Sequence, residues 1–300
     1  MGLFTRLSQR GAMFGMDARI ALIVAAILTA AGGITIMSRL ERSKVEQAEQ
    51  GAQTLREGIL KYYQTIGINQ LPDSIDTLMK SGVMNDPGVK KDPWGNPWYY
   101  ERFSSAVSLE GNPVTVHYAV VYSAGKDGVA NSPSLMSDND YAQWEPLNDD
   151  VGSKVSTRDI EMARLEDYRA RAQLIIDKLQ TAENSAYIEA QGTCSGTKPP
   201  EWCTNTDNKN FTQFNFYPPS SADKSNEVVY YATRVLNRAA YNSGDENDMK
   251  QLITDLGLPE TYAHDPWGRL LQYHSNVTGR ADPPFSASIC FSYGENCFTK

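Results

Sequence analysis

The chain has 300 residues, a hydrophobic fraction of 41% and a formal net charge of −8. This length is enough for two domains of ordinary size. The acidic balance argues against nucleic acid or another polyanion as the partner of the whole chain.

The first predicted element is a helix at residues 20–38, a run that contains no charged residue. A run of that length predicts a transmembrane helix, with residues 1–19 as a basic leader on the cytoplasmic side. A cleaved signal peptide is the alternative, although the run is long for one. We therefore expect a single-pass protein of the bacterial inner membrane, with its C-terminal bulk periplasmic or extracellular.

Residues 39–67 predict an amphipathic helix that continues directly from this run. Apolar residues recur at spacings of three and four, as at Ala52, Leu55 and Ile59, and Gly67 is a suitable C-terminal residue. A short helix within 71–84, a turn at 92–97 and strands at 98–100 and 114–123 follow. Together these elements predict a globular domain at 39–150.

Residues 151–300 predict a second domain of similar composition. A polar connector at 149–157 leads into a long amphipathic helix at 157–191, and further helices are expected at 226–241 and 249–257. Strands at 270–274 and 286–292 complete this part of the chain.

All four cysteines lie in this second part: Cys194, Cys203, Cys290 and Cys297. An even number at short spacings favours disulfide bonds and an oxidising compartment. The bonds could join neighbours in sequence, which we favour, or follow either crossed arrangement. A zinc site is disfavoured, because there is no C-x-x-C and neither His264 nor His274 has ligand-like spacing.

The two parts share a motif. Asp-Pro-Trp-Gly occurs at 92–95 and again at 265–268, and each copy precedes a strand and then a related stretch, YSAGKDG at 122–128 and FSYGENC at 291–297. Two motifs in the same order at similar separation indicate a duplicated module.

This order of elements and motifs resembles the major pseudopilin of bacterial type II secretion and, through it, the type IV pilin family. The matching stretches are DPWGNP at 92–97, YSAGKDG at 122–128, DNDYAQW at 138–144 and the apolar N-terminal helix. The resemblance covers about residues 11–145, and a weaker form covers 157–298. It implies an α+β fold: a long N-terminal helix packed on a small antiparallel sheet, followed by a second module of the same kind.

The resemblance also implies a calcium ion in the loop after the second strand. Asp127, Asp138 and Asp140 would supply carboxylates, and the backbone near Ala124 would supply carbonyl oxygens. Ordinary turn-forming aspartates are the alternative, because the loop has no EF-hand spacing. The second copy ends without matching aspartates, and we expect its disulfides to take over the role of the ion.

In the family, a basic leader ending in glycine is removed by a prepilin peptidase, which here would cut between Gly11 and Ala12. The glutamate that the family places five residues into the mature chain is missing, since Met16 stands there and Asp17 follows. This departure favours a minor or capping subunit. Its implied partners are other pilin-like subunits, the inner membrane, the peptidase and an assembly platform.

Three functions compete. The first is a structural subunit of a type IV pilus-like or type II secretion-like filament. The second is a membrane-anchored binding or adhesin module, whose ligand would meet the aromatic residues Trp98, Tyr99 and Tyr100. We do not expect an enzyme, because none of the common nucleophile, metal or phosphate motifs accompanies the three histidines.

Overall fold

The structure is a computed structural model that describes residues 14–84, 87–109, 112–204, 210–223, 228–290 and 297–299, with side chains from residue 36 onward. It is a mixed α+β protein with two long helices and two small sheets. The chain divides into two compact units, of which unit 1 comprises Met1–Ala106 and Thr115–Thr157 and unit 2 comprises Val107–Val114 and Arg158–Lys300.

Unit 1 is built on one long helix and a three-stranded sheet. Its helices are α1 (Phe14–Thr65), α2 (Ile75–Lys80) and α3 (Asp138–Gln143), and its strands are β1 (Tyr99–Leu109), β2 (Asn112–Ser123) and β3 (Val151–Ser156). The strands lie in the order β1-β2-β3, and β2 and β3 run antiparallel, with Tyr122 opposite Gly152.

The apolar face of α1 forms the core of this unit. Its buried residues recur at spacings of three and four, as one face of a helix requires: Ala48, Ala52, Leu55, Ile59 and Tyr63. The helix packs on β3, where the Arg56 guanidinium donates to the carbonyl of Lys154 at 3.1 Å. The polar connector predicted at 149–157 is therefore strand β3, whose alternation was hidden by glycine, serine and lysine.

Unit 2 is also built on a long helix and a three-stranded sheet. Its helices are α4 (Arg158–Cys194), α5 (Tyr231–Arg234) and α6 (Glu246–Asp255), and its strands are β4 (Gln272–His274), β5 (Ser288–Cys290) and β6 (Cys297–Thr299). The strand order is β4-β5-β6, antiparallel throughout, and α4 packs on β5 and β6.

The helix predicted at 226–241 is wrong over most of its described length. Only Tyr231–Arg234 is helical, because the flanking residues pair with another segment instead: Asn215 bridges to Tyr230, and Ser220 bridges to Tyr241. An apolar-rich run without an N-cap residue can satisfy its backbone groups within a helix or by pairing with another segment. Here it pairs with another segment.

The predicted location also has to be corrected. Within the described residues, the structure contains no helix that combines the length and apolar character needed to cross a membrane. The prediction of a transmembrane helix at 20–38 and of a single-pass inner-membrane protein is wrong on this finding. From Arg39 onward, charged residues such as Glu41 and Arg42 recur along α1, and charges are costly in hydrocarbon. The side chains of residues 14–35 and the predicted cleavage site at Gly11 and Ala12 lie outside the described part.

Candidate functional site

The first Asp-Pro-Trp-Gly stretch forms a tight turn organised by a buried carboxylate. Asp92 is 5% exposed, and its Oδ1 accepts the backbone N–H groups of Trp94 (3.0 Å) and Asn96 (2.7 Å). Its other oxygen, Oδ2, accepts the hydroxyl of Ser123 at the end of β2. Gly95 has φ +92°, a backbone conformation that favours glycine. The turn is thereby fixed both internally and to the sheet.

This turn is attached to α1 by a hydrogen bond. The indole Nε1 of Trp94 donates to Oε2 of Glu41 at 3.3 Å. Lys126, from the loop that follows β2, pairs with Oε1 of the same glutamate at 3.5 Å. Glu41 therefore holds the turn and the loop at one level of the long helix.

The second copy of the motif has the same construction in unit 2. Oδ1 of Asp265 accepts the backbone N–H groups of Trp267 (2.9 Å) and Arg269 (2.8 Å), and Gly268 has φ +81°. The indole of Trp267 donates to Glu161 on α4, which also pairs with Arg164 at 2.9 Å.

The two helices also match position by position when their sequences are aligned on these glutamates. Buried residues follow Glu41 and Glu161 at the same four intervals along the chain: Ala48, Ala52, Leu55 and Ile59 in α1, and Tyr168, Ala172, Ile175 and Leu179 in α4. Trp98 and Leu271, each six residues after its aspartate, are both buried. The repeated turn was predicted from the sequence, but the two glutamates were missed. They could have been found because each lies the same number of residues before the apolar stripe of its helix.

The loop after β2 contains the predicted calcium ligands, and the structure gives each of them a partner within the chain. Ala124 is buried beside the strand end. Asp127 accepts the N–H of Val129 at 2.8 Å, Asp138 accepts the hydroxyl of Ser105 at 3.1 Å, and Asp140 accepts the N–H of Met136 at 3.2 Å. Asp138 and Asp140 lie in the first turn of α3, where the helix dipole stabilises negatively charged side chains. Through the described ranges, no three acidic, histidine or cysteine residues come together in a way that could hold a metal.

Two other aspartates organise this loop. Oδ2 of Asp149 accepts the N–H groups of Lys126 (2.8 Å) and Asp127 (3.1 Å), and Oδ2 of Asp150 accepts those of Asn131 (2.9 Å) and Ser132 (2.7 Å). Sequence reasoning treated the pair as part of a connector. Their only signal was two adjacent aspartates in front of a strand, a common pattern at loop ends.

A carboxylate, a histidine and a serine meet at the end of β4. Oδ2 of Asp223 accepts the N–H of Ser275 and also its hydroxyl (2.9 Å), and Oδ1 lies 3.3 Å from Nδ1 of His274. Ser275 is fully buried and its hydroxyl bonds to the aspartate, not to the imidazole. Nucleophilic catalysis needs a base that contacts the hydroxyl, so this arrangement is suited to holding the loop at 220–223 against β4.

This contact has a pH dependence. The hydrogen bond to Asp223 raises the pKa of His274 despite partial burial. A raised folded-state pKa means that the stabilisation is complete below the unfolded value of about 6.5 and is lost as the pH rises through the folded value. We therefore expect unfolding free energies measured across pH 5–9 to show a loss in the wild type that His274→Gln abolishes. Parallel curves for the two proteins would contradict this assignment.

Asp223 makes the stability depend on pH in the acidic range. Burial alone would raise its pKa, but hydrogen bonds from His274 and Ser275 outweigh burial and lower it. Its contribution to stability is present above the unfolded value of about 3.9 and is lost as the pH falls through the folded one.

The aromatic residues proposed as a ligand platform are mostly part of the core. Trp98 is 8% exposed and faces Gly51, while the hydroxyl of Tyr100 donates to the carbonyl of Pro72 at 3.0 Å. Burial raises the pKa of Tyr100. Tyr99 is 38% exposed and stacks on Tyr122 at 5.2 Å. Trp98 and Tyr100 therefore belong to the core of unit 1, and of the three rings only Tyr99 is exposed.

Disulfide bonds, which the sequence predicted, are confirmed. Cys194 is joined to Cys203, and Cys290 is joined to Cys297. The first closes the end of α4 on the following loop, and the second joins the facing residues of β5 and β6.

Comparisons with known proteins add no relative. The chain matches no protein-family model, and neither the curated proteins nor the solved structures contain a significant match.

Proposed function

We propose that this chain is a structural subunit of a filament or related multi-subunit assembly, built from two pilin-like modules. The proposal rests on the motifs that resemble the type II secretion pseudopilins and type IV pilins. One observation supports it above the others: in each unit a tryptophan of the repeated turn donates to a glutamate on the unit's long helix.

The repeated turn–helix contact supports a duplicated module. Two unrelated domains have no physical reason to place an Asp-Pro-Trp-Gly turn, a glutamate and an apolar stripe at the same relative levels. In a duplicated module, all three follow from one ancestral helix packing. The second unit then adds a longer segment between its helices, which the first unit lacks.

The first helix supports assembly with other chains. Ile36, Met37 and Leu40 are 62%, 61% and 56% exposed, and they lie on one side of α1. The described part of the chain places no residue over them. Exposed apolar residues grouped on one helix face are typical of surfaces that other molecules cover. A neighbouring helix of the same kind is the simplest partner.

Association in solution tests this proposal. We expect sedimentation velocity of the purified chain to show concentration-dependent oligomers, and Leu40→Glu to weaken the association about tenfold or more by placing a charge in the contact. Gln50→Glu is the control, since residue 50 is an exposed polar position on the same helix. A wild-type chain that stays monomeric up to ~100 µM would count against assembly through α1.

Calcium is a second part of the proposal, and it rests on the family resemblance alone. If the loop at 124–150 binds calcium, about 1 mM of the ion should raise the melting temperature and a chelator should reverse the change. Asp127→Asn should abolish the shift, whereas Asp177→Asn on α4 should preserve it. An identical melting temperature with and without calcium would show that Asp149 and Asp150 hold the loop without an ion.

A further inference from the structure

Unit 2 contains a segment that has no counterpart in unit 1. In unit 1, α2 begins at Ile75, shortly after α1 ends at Thr65, whereas α6 begins at Glu246, far beyond the end of α4 at Cys194. Described residues of this segment pack on the last turns of α4. They form an aromatic cluster with a residue of that helix, and the cluster consists of Tyr187, Trp202, Phe211, Phe214, Phe216 and Tyr231.

The rings of the aromatic cluster form an inner and an outer layer. Phe214, Phe216 and Tyr231 are almost fully buried. Tyr187 and Trp202 are only half-buried, and each stands edge-on to an inner ring, Tyr187 to Phe216 at 5.3 Å and Trp202 to Tyr231 at 5.6 Å. Phe211, 6.2 Å from Tyr187, completes the half-buried layer. Part of each outer ring therefore reaches solvent.

The outer rings are held by covalent and hydrogen bonds. Trp202 directly precedes Cys203, whose disulfide joins it to the end of α4. Phe211 begins a short 3-10 helix in which the N–H of Asn210 donates to the side chain of Gln213 at 3.0 Å. Such bracing fixes the rings before any ligand arrives, which reduces the entropy that binding would cost.

One carboxylate, that of Glu183, lies next to the aromatic cluster. Glu183 is one helical turn before Tyr187, on the same face of α4, and it is half-buried. It makes no hydrogen bond or ion pair with any residue that the structure describes. Burial raises its pKa, and its charge in turn contributes to the raised pKa of Tyr217, whose main cause is burial. A half-buried carboxylate is costly unless a cation lies beside it, and none of the residues that the structure describes supplies one to Glu183.

We propose that the outer rings of the aromatic cluster and Glu183 form a docking surface for a basic polypeptide segment. An arginine or lysine of the partner would pair with Glu183 and lie against the ring of Tyr187, and a neighbouring residue of the same segment would contact Trp202. Aromatic faces attract cations, and arginine in particular stacks on them. The pairing also removes the energetic cost of the half-buried carboxylate, so the carboxylate and the rings favour the same partner.

Binding of a synthetic tetra-arginine peptide to the full chain tests the proposal. Isothermal titration calorimetry should detect binding of this peptide and none of tetraglycine. Glu183→Gln should weaken binding about tenfold or more, and so should Trp202→Ala. Glu166→Gln is the matched control, because Glu166 lies on α4 but is exposed. It should change the affinity by less than about twofold.

The stability of the variants separates a binding defect from a folding defect. Because Glu183 has no partner among the described residues, Glu183→Gln should melt at the wild-type temperature or above it, while binding falls. Absence of tetra-arginine binding to the wild type would overturn the proposal. Equal weakening by Glu183→Gln and Glu166→Gln would overturn it too, because the peptide would then follow only the net charge of −8.

Discussion

Asp265→Ala is expected to lower the unfolding free energy of unit 2 by about 2–4 kcal/mol, because it removes a buried carboxylate that accepts the turn's backbone donors and pairs with a guanidinium that is 41% exposed. The Asp265 side chain is fully buried, and it pairs with the Arg269 guanidinium at 2.7 Å while it accepts two backbone N–H groups of the turn. Its removal leaves the turn's donors without an acceptor.

Asp92→Ala in unit 1 is expected to cost less, about 2–3 kcal/mol, because its carboxylate accepts neutral donors only. Urea unfolding followed by fluorescence measures both variants, and the nearby tryptophans, Trp94 and Trp267, report on each unit. Asp76→Ala is the control: Asp76 is exposed in the first turn of α2, and its loss should cost less than about 1 kcal/mol. If Asp92→Ala and Asp265→Ala lower the unfolding free energy as little as the control does, the repeated turn does not organise either unit.

The second large effect is expected in the helix cores. Leu55 and Ile175 occupy equivalent levels of α1 and α4, and both are fully buried. Truncation of either to alanine should cost about 2–5 kcal/mol, from lost burial and the cavity that remains. Leu174→Ala, one residue away but 38% exposed, should cost much less. Calorimetric melting of the three variants checks this, and a Leu174 cost equal to that of Ile175 would contradict the assigned face of α4.

The long helices could be predicted from the sequence because their period was unambiguous. The stripe beginning at Ala52 and Leu55 predicted α1, and the corresponding stripe in 157–191 predicted α4, within a few residues of their observed ends. The turn at Asp92 followed from proline and glycine, whose backbone preferences are local. These features depend on residues close together in sequence.

The missed features depend on distant contacts. Strand β3 has a weak alternation and forms only because β2 offers a partner and α1 covers one face. The 226–241 segment has helix-like composition, but its backbone pairs with Asn215 and Ser220 instead. The roles of Glu41 and Glu161 could be found only once both helices were aligned on their turns. A local pattern does not contain this information.

The predicted calcium site illustrates the same limit. Asp127, Asp138 and Asp140 were chosen by similarity to a motif, whereas Asp149 and Asp150 were not considered. In the structure the latter two accept the loop's backbone N–H groups. They can do so because they directly precede strand β3, which fixes their position. Choosing between carboxylates that cap a loop and carboxylates that bind an ion requires their mutual geometry, which sequence spacing did not supply.

Negative-stain electron microscopy of the purified chain tests directly whether it assembles into filaments. We expect fibres or regular oligomers in which each subunit contributes both of its units, and their loss in Leu40→Glu. Dispersed monomers under all conditions, with a Leu40→Glu variant indistinguishable from the wild type, would contradict it.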